Sequence, residues 1–350
     1  MDVSVLIFLT SGLFLGWALG ANDAANVFGT AVGSRMVRFS TAAIICSIFV
    51  ILGAVISGAG ATETLGKLGT ISTLPASFMA AFAAAAAVYG MTKTGLPVST
   101  SQAIVGAIIG WNLFSGSPTD SKSLTKILST WVLCPILAAG FSALLYTVVV
   151  RVIRRAKIHL LLTDAYTRIG LILAGAFGSY SLGANNIANV MGVFVPANPF
   201  TDFSFATLGT FTGLQQLFML GAFAIAVGVF TYSKRVMMTV GNDLLPLSPV
   251  GAWVAVVAHS IVLFIFASQG LEAFLQDRGL PTIPLVPVSS SQAVVGAVLG
   301  IALVRGGRGI HWRVLGSIGI GWIVTPVIAC GLCFVGLYFL QNVFDQPVYS

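Results

Sequence analysis

Charge is what this chain has least of. Only 8% of its 350 residues are Asp, Glu, Lys or Arg, against roughly 25% in a soluble domain. That excludes a soluble enzyme carrying a single anchor. The longest polar stretches are too short to build a separate soluble core. Cysteine is scarce too. Cys46, Cys134, Cys330 and Cys333 all lie in apolar segments. Cys330-Gly-Leu-Cys333 has the spacing of a metal or redox pair but no second ligand pair near it, so these thiols read as small packing residues. No zinc-ligand cluster, nucleophile–base pair or nucleotide loop is present, and the chain does not read as an enzyme. The N-terminus lacks a basic leader and a small-residue cleavage site, so Val3 to Gly20 reads as a first span rather than a removable signal.

Apolar sequence fills the rest. Hydrophobic residues make up 57% of the chain and the mean hydropathy is +0.98. Ten apolar stretches can be traced: 3–20 (continuing to 33), 41–60, 74–90, 97–114, 127–150, 167–196, 205–230, 247–269, 287–304 and 314–341. Most reach the roughly 20 residues a helix needs to cross a bilayer. The expected fold is an all-α integral membrane protein of about ten apolar helical segments.

These segments repeat. Pro97-Val-Ser-Thr-Ser-Gln-Ala-Ile-Val-Gly-Ala-Ile-Ile-Gly110 returns 190 residues later as Pro287-Val-Ser-Ser-Ser-Gln-Ala-Val-Val-Gly-Ala-Val-Leu-Gly300, identical at ten of fourteen positions. Gly20-Ala-Asn-Asp-Ala-Ala-Asn-Val-Phe-Gly29 returns as Gly183-Ala-Asn-Asn-Ile-Ala-Asn-Val-Met-Gly192, identical at seven of ten. Trp131-Val-Leu-Cys-Pro135 returns as Trp322-Ile-Val-Thr-Pro326. Three motifs in one order in both halves mark a duplicated unit: 1–150 as the first transmembrane repeat, 151–166 as a basic cytoplasmic linker and 167–350 as the second repeat. Polar motifs repeated inside hydrophobic segments point to a secondary transporter. The second unit is 27 residues longer between its main motifs, an excess expected in Lys234–Pro246 and Glu272–Arg278.

Basic residues orient the chain. They follow the first segment (Arg35, Arg38), join the halves (Arg151, Arg154, Arg155, Lys157, Arg168), follow the seventh (Lys234, Arg235) and follow the ninth (Arg305, Arg308, Arg313). Asn198–Ser204 has none. The positive-inside rule then places both termini outside and the mid-chain loop inside, with Lys122 and Lys126 counting mildly against it. Five segments per unit is an odd number, so the repeats run through the membrane in opposite senses, each with a Ser-rich hairpin or broken helix. The apolar composition expects a cell-membrane protein, and a homodimer is one assembly open to it.

The polar motifs carry the chemistry. A helix opening at Pro97 would present unsatisfied N–H groups and a positive dipole end. With Ser99, Thr100, Ser101 and Gln102, that makes an anion cradle without lysine or arginine. Ser289, Ser290, Ser291 and Gln292 supply a second half, and Asn22 and Asn185 stand beside the cradle as further anion contacts. A single copy would read as helix–helix glue; two matched copies favour the anion. Asp23 is the only carboxylate deep in an apolar segment of the first unit, which costs roughly 2.5–3.5 kcal/mol. With Asn26 it suits a hard monovalent cation such as sodium, against the plainer reading of an N-cap at a helix break. The second unit has Asn186 in place of the carboxylate, next to Asn189, so any cation site there is weaker or absent. His259, in the eighth segment, stands as a lone proton relay or a satisfied core histidine. Gly106/Gly110 and Gly296/Gly300 have the spacing of close helix packing.

These paired Gly-Ala-Asn-Asp/Asn-x-Ala-Asn and Pro-Val-Ser-x-Ser-Gln motifs resemble the PiT family of inorganic phosphate transporters, which includes sulfate permeases. The resemblance covers nearly the whole chain. It implies an inverted-repeat fold that holds the anion between two Ser-rich hairpin tips, with uptake coupled to sodium or protons. Asn186 departs from the second Asp of sodium-coupled members and puts two-sodium coupling in question. The expected function is import of inorganic phosphate by cation symport. A sulfate permease of the same family is the alternative, and a passive anion channel a more distant one. No cofactor is expected beyond sodium.

Overall fold

The computed structural model describes every residue except 1, 2, 94–96, 157, 158, 206–208, 244, 308 and 350. Two of the orienting cations, Lys157 and Arg308, lie outside the described residues. The helices in chain order are α1 (Val3–Asn22), α2 (Ala24–Gly33), α3 (Phe39–Ser57), α4 (Thr62–Leu68), α5 (Leu74–Thr92), α6 (Thr100–Ser115), α7 (Ser121–Ala156), α8 (Leu160–Met191), α9 (Gly213–Met238), α10 (Pro249–Ile265), α11 (Gln269–Gln276), α12 (Ser290–Val304) and α13 (Trp312–Asn342). Hydroxyl side chains start many of them. Thr73, Thr212, Ser248 and Ser268 each accept a bond from a backbone N–H in the first turn. At Thr212 the partner Gln215 reaches back to complete a capping box, which satisfies two orphan donors.

Each expected apolar stretch contains a helix, but they are unequal. Six helices among the described residues are long and apolar enough to cross a membrane, or seven if α10 and α11, bent by 64°, form one span. The expected segments, about ten, outnumber these candidates: α6, α10 and α12 are short, at 16, 17 and 15 residues, and α8, with 32 residues, is not among them. Two short antiparallel strands, β1 (Phe203–Phe205) and β2 (Gly209–Phe211), form the one sheet among the described residues. α7 runs to Ala156 and α8 starts at Leu160, so most of the expected linker is helix.

The excess length of the second unit lies partly elsewhere than expected. From Gly213 to Pro249 is 36 residues, against 35 from Phe39 to Leu74. Lys234–Pro246 therefore adds nothing: it is the end of α9 and a π-helical turn over Thr239–Asp243. The extra residues sit in the hairpin-bearing segment before α9 and in the segment of α11 before Pro287.

The halves exchange their helices. α6 packs on α13 and α12 on α7; α1 packs on α9 and α3 on α8. Repeated glycines allow each approach. A methyl on Gly106 would overlap the carbonyl oxygen of Pro326, and one on Gly296 that of Pro135. Gly20 meets Ile225 and Gly183 meets Val50 in the same manner. The serine and Trp…Pro motifs recur together because each short helix lies against the proline-bearing helix of the other half.

Candidate functional site

The four polar motifs meet in the buried middle of the bundle. All fourteen residues singled out above are at most 4% exposed. The short helices do not open at proline. Pro97 and Val98 lie outside the helix, Ser99 is the N-cap in an extended conformation, and its hydroxyl accepts from Gln102 N at 3.2 Å. Ser289 does the same for Gln292 N at 3.3 Å. The expectation of proline in the first turn is corrected here. The serine is the stronger start signal, and asparagine side chains hold the preceding backbone in place. Val98 N donates to Asn22 Oδ1 (3.0 Å), and Val288 N donates to Asn185 Oδ1 (2.8 Å). The amide nitrogens of the same asparagines donate to Thr92 Oγ1 and Val286 O. Asn22 and Asn185 thus clamp the two arms that carry the serines.

The remaining motif residues interlock across the halves. Ser101 accepts from Asn189 Nδ2 at 2.8 Å and donates to Val288 O at 2.9 Å, with Asn186 Oδ1 at 3.2 Å. Asn189 Nδ2 also reaches Asn186 Oδ1. Ser290 donates to the backbone oxygen of Asp23 at 3.2 Å and accepts from Asn26 Nδ2 at 3.3 Å. Ser291 accepts from Trp322 Nε1 and lies 3.1 Å from Ser289 Oγ. Each serine tip is thereby held by the asparagine motif of the other half.

The halves differ at the carboxylate. The first helix breaks at Asp23, between α1 and α2, whereas α8 runs unbroken through Asn186. Asp23 caps α2 by position but its side chain makes no capping bond. Instead Oδ2 accepts from Thr100 N at 3.3 Å, and Oδ1 has no partner. Eleven buried polar atoms among the described residues are unpartnered. Seven are in these motifs: Asp23 Oδ1, Asn26 Oδ1, Thr100 Oγ1, Gln102 Oε1, Asn186 Nδ2, Asn189 Oδ1 and Gln292 Oε1. Buried polar groups normally find partners, so such a cluster in one place marks where a polar guest would be held. The site offers carbonyl and carboxylate oxygens for a cation, and hydroxyl and amide donors for an anion.

The sequence undervalued His259. It is fully buried, and its Nε2 lies 3.0 Å from Ser290 Oγ. Its position on α10, 31 residues before Ser290, gave no local signal. Among the described residues no group of three or more His, Cys, Asp or Glu could hold a metal ion.

The sequence pattern of the phosphate transporter family matches residues 19–333 and 280–348. The chain belongs to that family. Relatives of the phosphate transporter chain agree over its length. A Methanocaldococcus jannaschii protein named "Putative phosphate permease" is 28% identical over 96% of this chain and 97% of its own. The sulfate permease CysP of Bacillus subtilis is 29% identical over 96% of this chain and 87% of its own. Among solved structures, one described as the sodium-dependent phosphate transporter has a TM-score of 0.76 at 22% identity, covering 97% of this chain and all of that one. That likeness speaks for the fold. The chain is a multi-pass membrane transporter and not an enzyme.

Proposed function

We propose that this transporter imports inorganic phosphate by cation symport, with the anion held between the tips of α6 and α12. The carrying observation is the unpartnered Asp23 Oδ1 beside Thr100. Hydrogenphosphate brings an O–H that can donate to such an oxygen, whereas sulfate only accepts. A site built for one hydrogen bond can reject the analogue lacking it by roughly 10⁴-fold. Thr100, Ser101, Gln102, Ser290, Ser291 and Gln292 surround the anion. Ser99 and Ser289 fix the helix starts, and Asn22 and Asn185 hold the arms in place. Asp23, Asn26 and Asn189 offer oxygens to the coupling ion, sodium or a proton.

Sulfate is the second reading. The neutral Asn186 removes one carboxylate that would repel a full dianion, and a sulfate permease is among the relatives at 29% identity. The test is uptake of labelled phosphate and of labelled sulfate into proteoliposomes, with sodium and pH gradients imposed separately. Phosphate should accumulate and excess sulfate should compete poorly. Accumulation of sulfate alone, or equal displacement by both, replaces the phosphate reading with the sulfate one. Equilibration without accumulation would make the protein a passive channel.

A further inference from the structure

We propose that a cavity at the C-terminal ends of α7 and α12, remote from the serine tips, binds the phosphate headgroup of an anionic phospholipid. The cavity, of about 440 Å³, is lined by Tyr146, Thr147, Arg151, Arg154 and Arg155 from α7 and by Arg305, which caps α12. Four arginines line one space, with no carboxylate among its lining residues. The salt bridges among the described residues are Lys67–Glu63 and Arg168–Asp164, so none of the four arginines is neutralised in that way. Like charges brought together repel, and an anion between them reverses the sign of that interaction. Planar guanidinium groups match phosphate oxygens in a bidentate manner.

The apolar surface beside the cavity selects lipid over a soluble phosphate compound. α7 and α12 run side by side in the same direction: Gly296 abuts Pro135, and Gly300 abuts Ala139 four residues on. Only six residues of α7 are buried. Its open side carries Leu144, Val148 and Val152, which are 64%, 46% and 55% exposed. Spaced four apart, they form one stripe leading away from the arginines. Leu303 and Val304 extend it on α12, at 68% and 44% exposure. A helix of 36 residues is roughly 54 Å long, well beyond the roughly 30 Å hydrocarbon layer, so its last turn reaches headgroup level. A headgroup in the cavity and acyl chains along the stripe use both surfaces. A free phosphate compound uses only the first.

The test uses the full-length purified chain, stripped of lipid in detergent. It is titrated with phosphatidylglycerol, with phosphatidylcholine of the same acyl chains, and with soluble glycerol phosphate. Bound lipid is counted by native mass spectrometry, and thermal unfolding is followed in parallel. One phosphatidylglycerol should bind in preference to phosphatidylcholine, and glycerol phosphate should not displace it. Each arginine near an anionic headgroup is worth on the order of fivefold, so the combined R151Q/R154Q/R155Q/R305Q variant should bind roughly 600-fold more weakly. R305Q alone, on the other helix, should lose about fivefold and serves if the combined variant does not fold. K234Q/R235Q, in a different basic region, should bind as the unaltered chain does. Equal binding of the two lipids, or retention by R305Q and the combined variant, overturns the proposal. Displacement by glycerol phosphate makes the cavity a soluble-anion site and overturns the lipid assignment.

Discussion

A single buried carboxylate decides how the two halves of the site differ. Asp23 Oδ2 is satisfied by Thr100 N, while Oδ1 is left for a guest. Asp23→Asn keeps the shape but leaves one oxygen for both Thr100 N and the guest, so concentrative uptake should be abolished while some phosphate–phosphate exchange survives, with excess sulfate competing better than before. Undiminished accumulation in proteoliposomes would remove Asp23 from coupling. Ser101 bridges Asn189 and Val288 O, so Ser101→Ala costs interactions with guest and partner together. Losing a hydrogen bond to a charged ligand costs roughly 1.5–3 kcal/mol, or about 10- to 150-fold in affinity. A phosphate affinity within twofold of the unaltered chain would make Ser101 packing glue. His259 distinguishes the coupling ions. Ser290 has one hydroxyl proton and gives it to the Asp23 carbonyl. With that bond kept, His259 Nε2 is the donor, and a second proton would arrive at the unpartnered Nδ1. His259→Gln preserves a donor but cannot become a cation. If the proton is carried there, uptake driven by a pH gradient should fall at least tenfold while phosphate exchange is kept. Unchanged pH-driven uptake assigns coupling elsewhere. At this scale the motifs were legible, since serine, asparagine and aspartate have no place in an apolar segment without partners. The partners were not: Asn22 pairs with Val98, and Asn26 with Ser290 across 264 residues.

Helices show where sequence signals compete. Pro97 suits a first turn, but Ser99 two residues on is the better cap, and α6 starts at Thr100. The break at Asp23 was open to two readings. It proves to be a helix break whose Asp makes no capping bond, because the carboxylate points at the neighbouring helix start. The glycine spacings told of close packing, though not that the partner belongs to the other half. That packing can be measured. Gly106→Val and Gly296→Val should each lower the unfolding midpoint, since overpacking against a carbonyl typically costs about 1–3 kcal/mol. Gly140→Ala, on α7 with open space around it, should leave the midpoint unchanged or raise it, as removing an interior helix glycine gains about 0.5–1 kcal/mol. Equal effects at all three sites would mean that the exchanged packing does not hold the halves together.

For the whole molecule, the duplicated order of motifs points to two units, and the short α6, α10 and α12 are part of why the apolar stretches outnumber the helices long enough to span. Orientation rests on charge alone. Strongly basic ends of α7 and α9 lie on one side in the inverted scheme, and the segment before α9 has none. With the four native cysteines replaced, Thr201→Cys and Tyr349→Cys should react with an impermeant thiol reagent applied outside intact cells. Both native positions are exposed, whereas the neighbouring Val348 is buried, its carbonyl accepting from Trp111 Nε1. Arg154→Cys, exposed at the end of α7, should react only after permeabilisation. The two outer sites lie in the second unit and Arg154 ends the first, so the three together fix how the units are set in the membrane. Outside labelling of Arg154→Cys would invert the scheme. It would also place the arginine cavity on the outer face, so the headgroup would have to come from the outer leaflet.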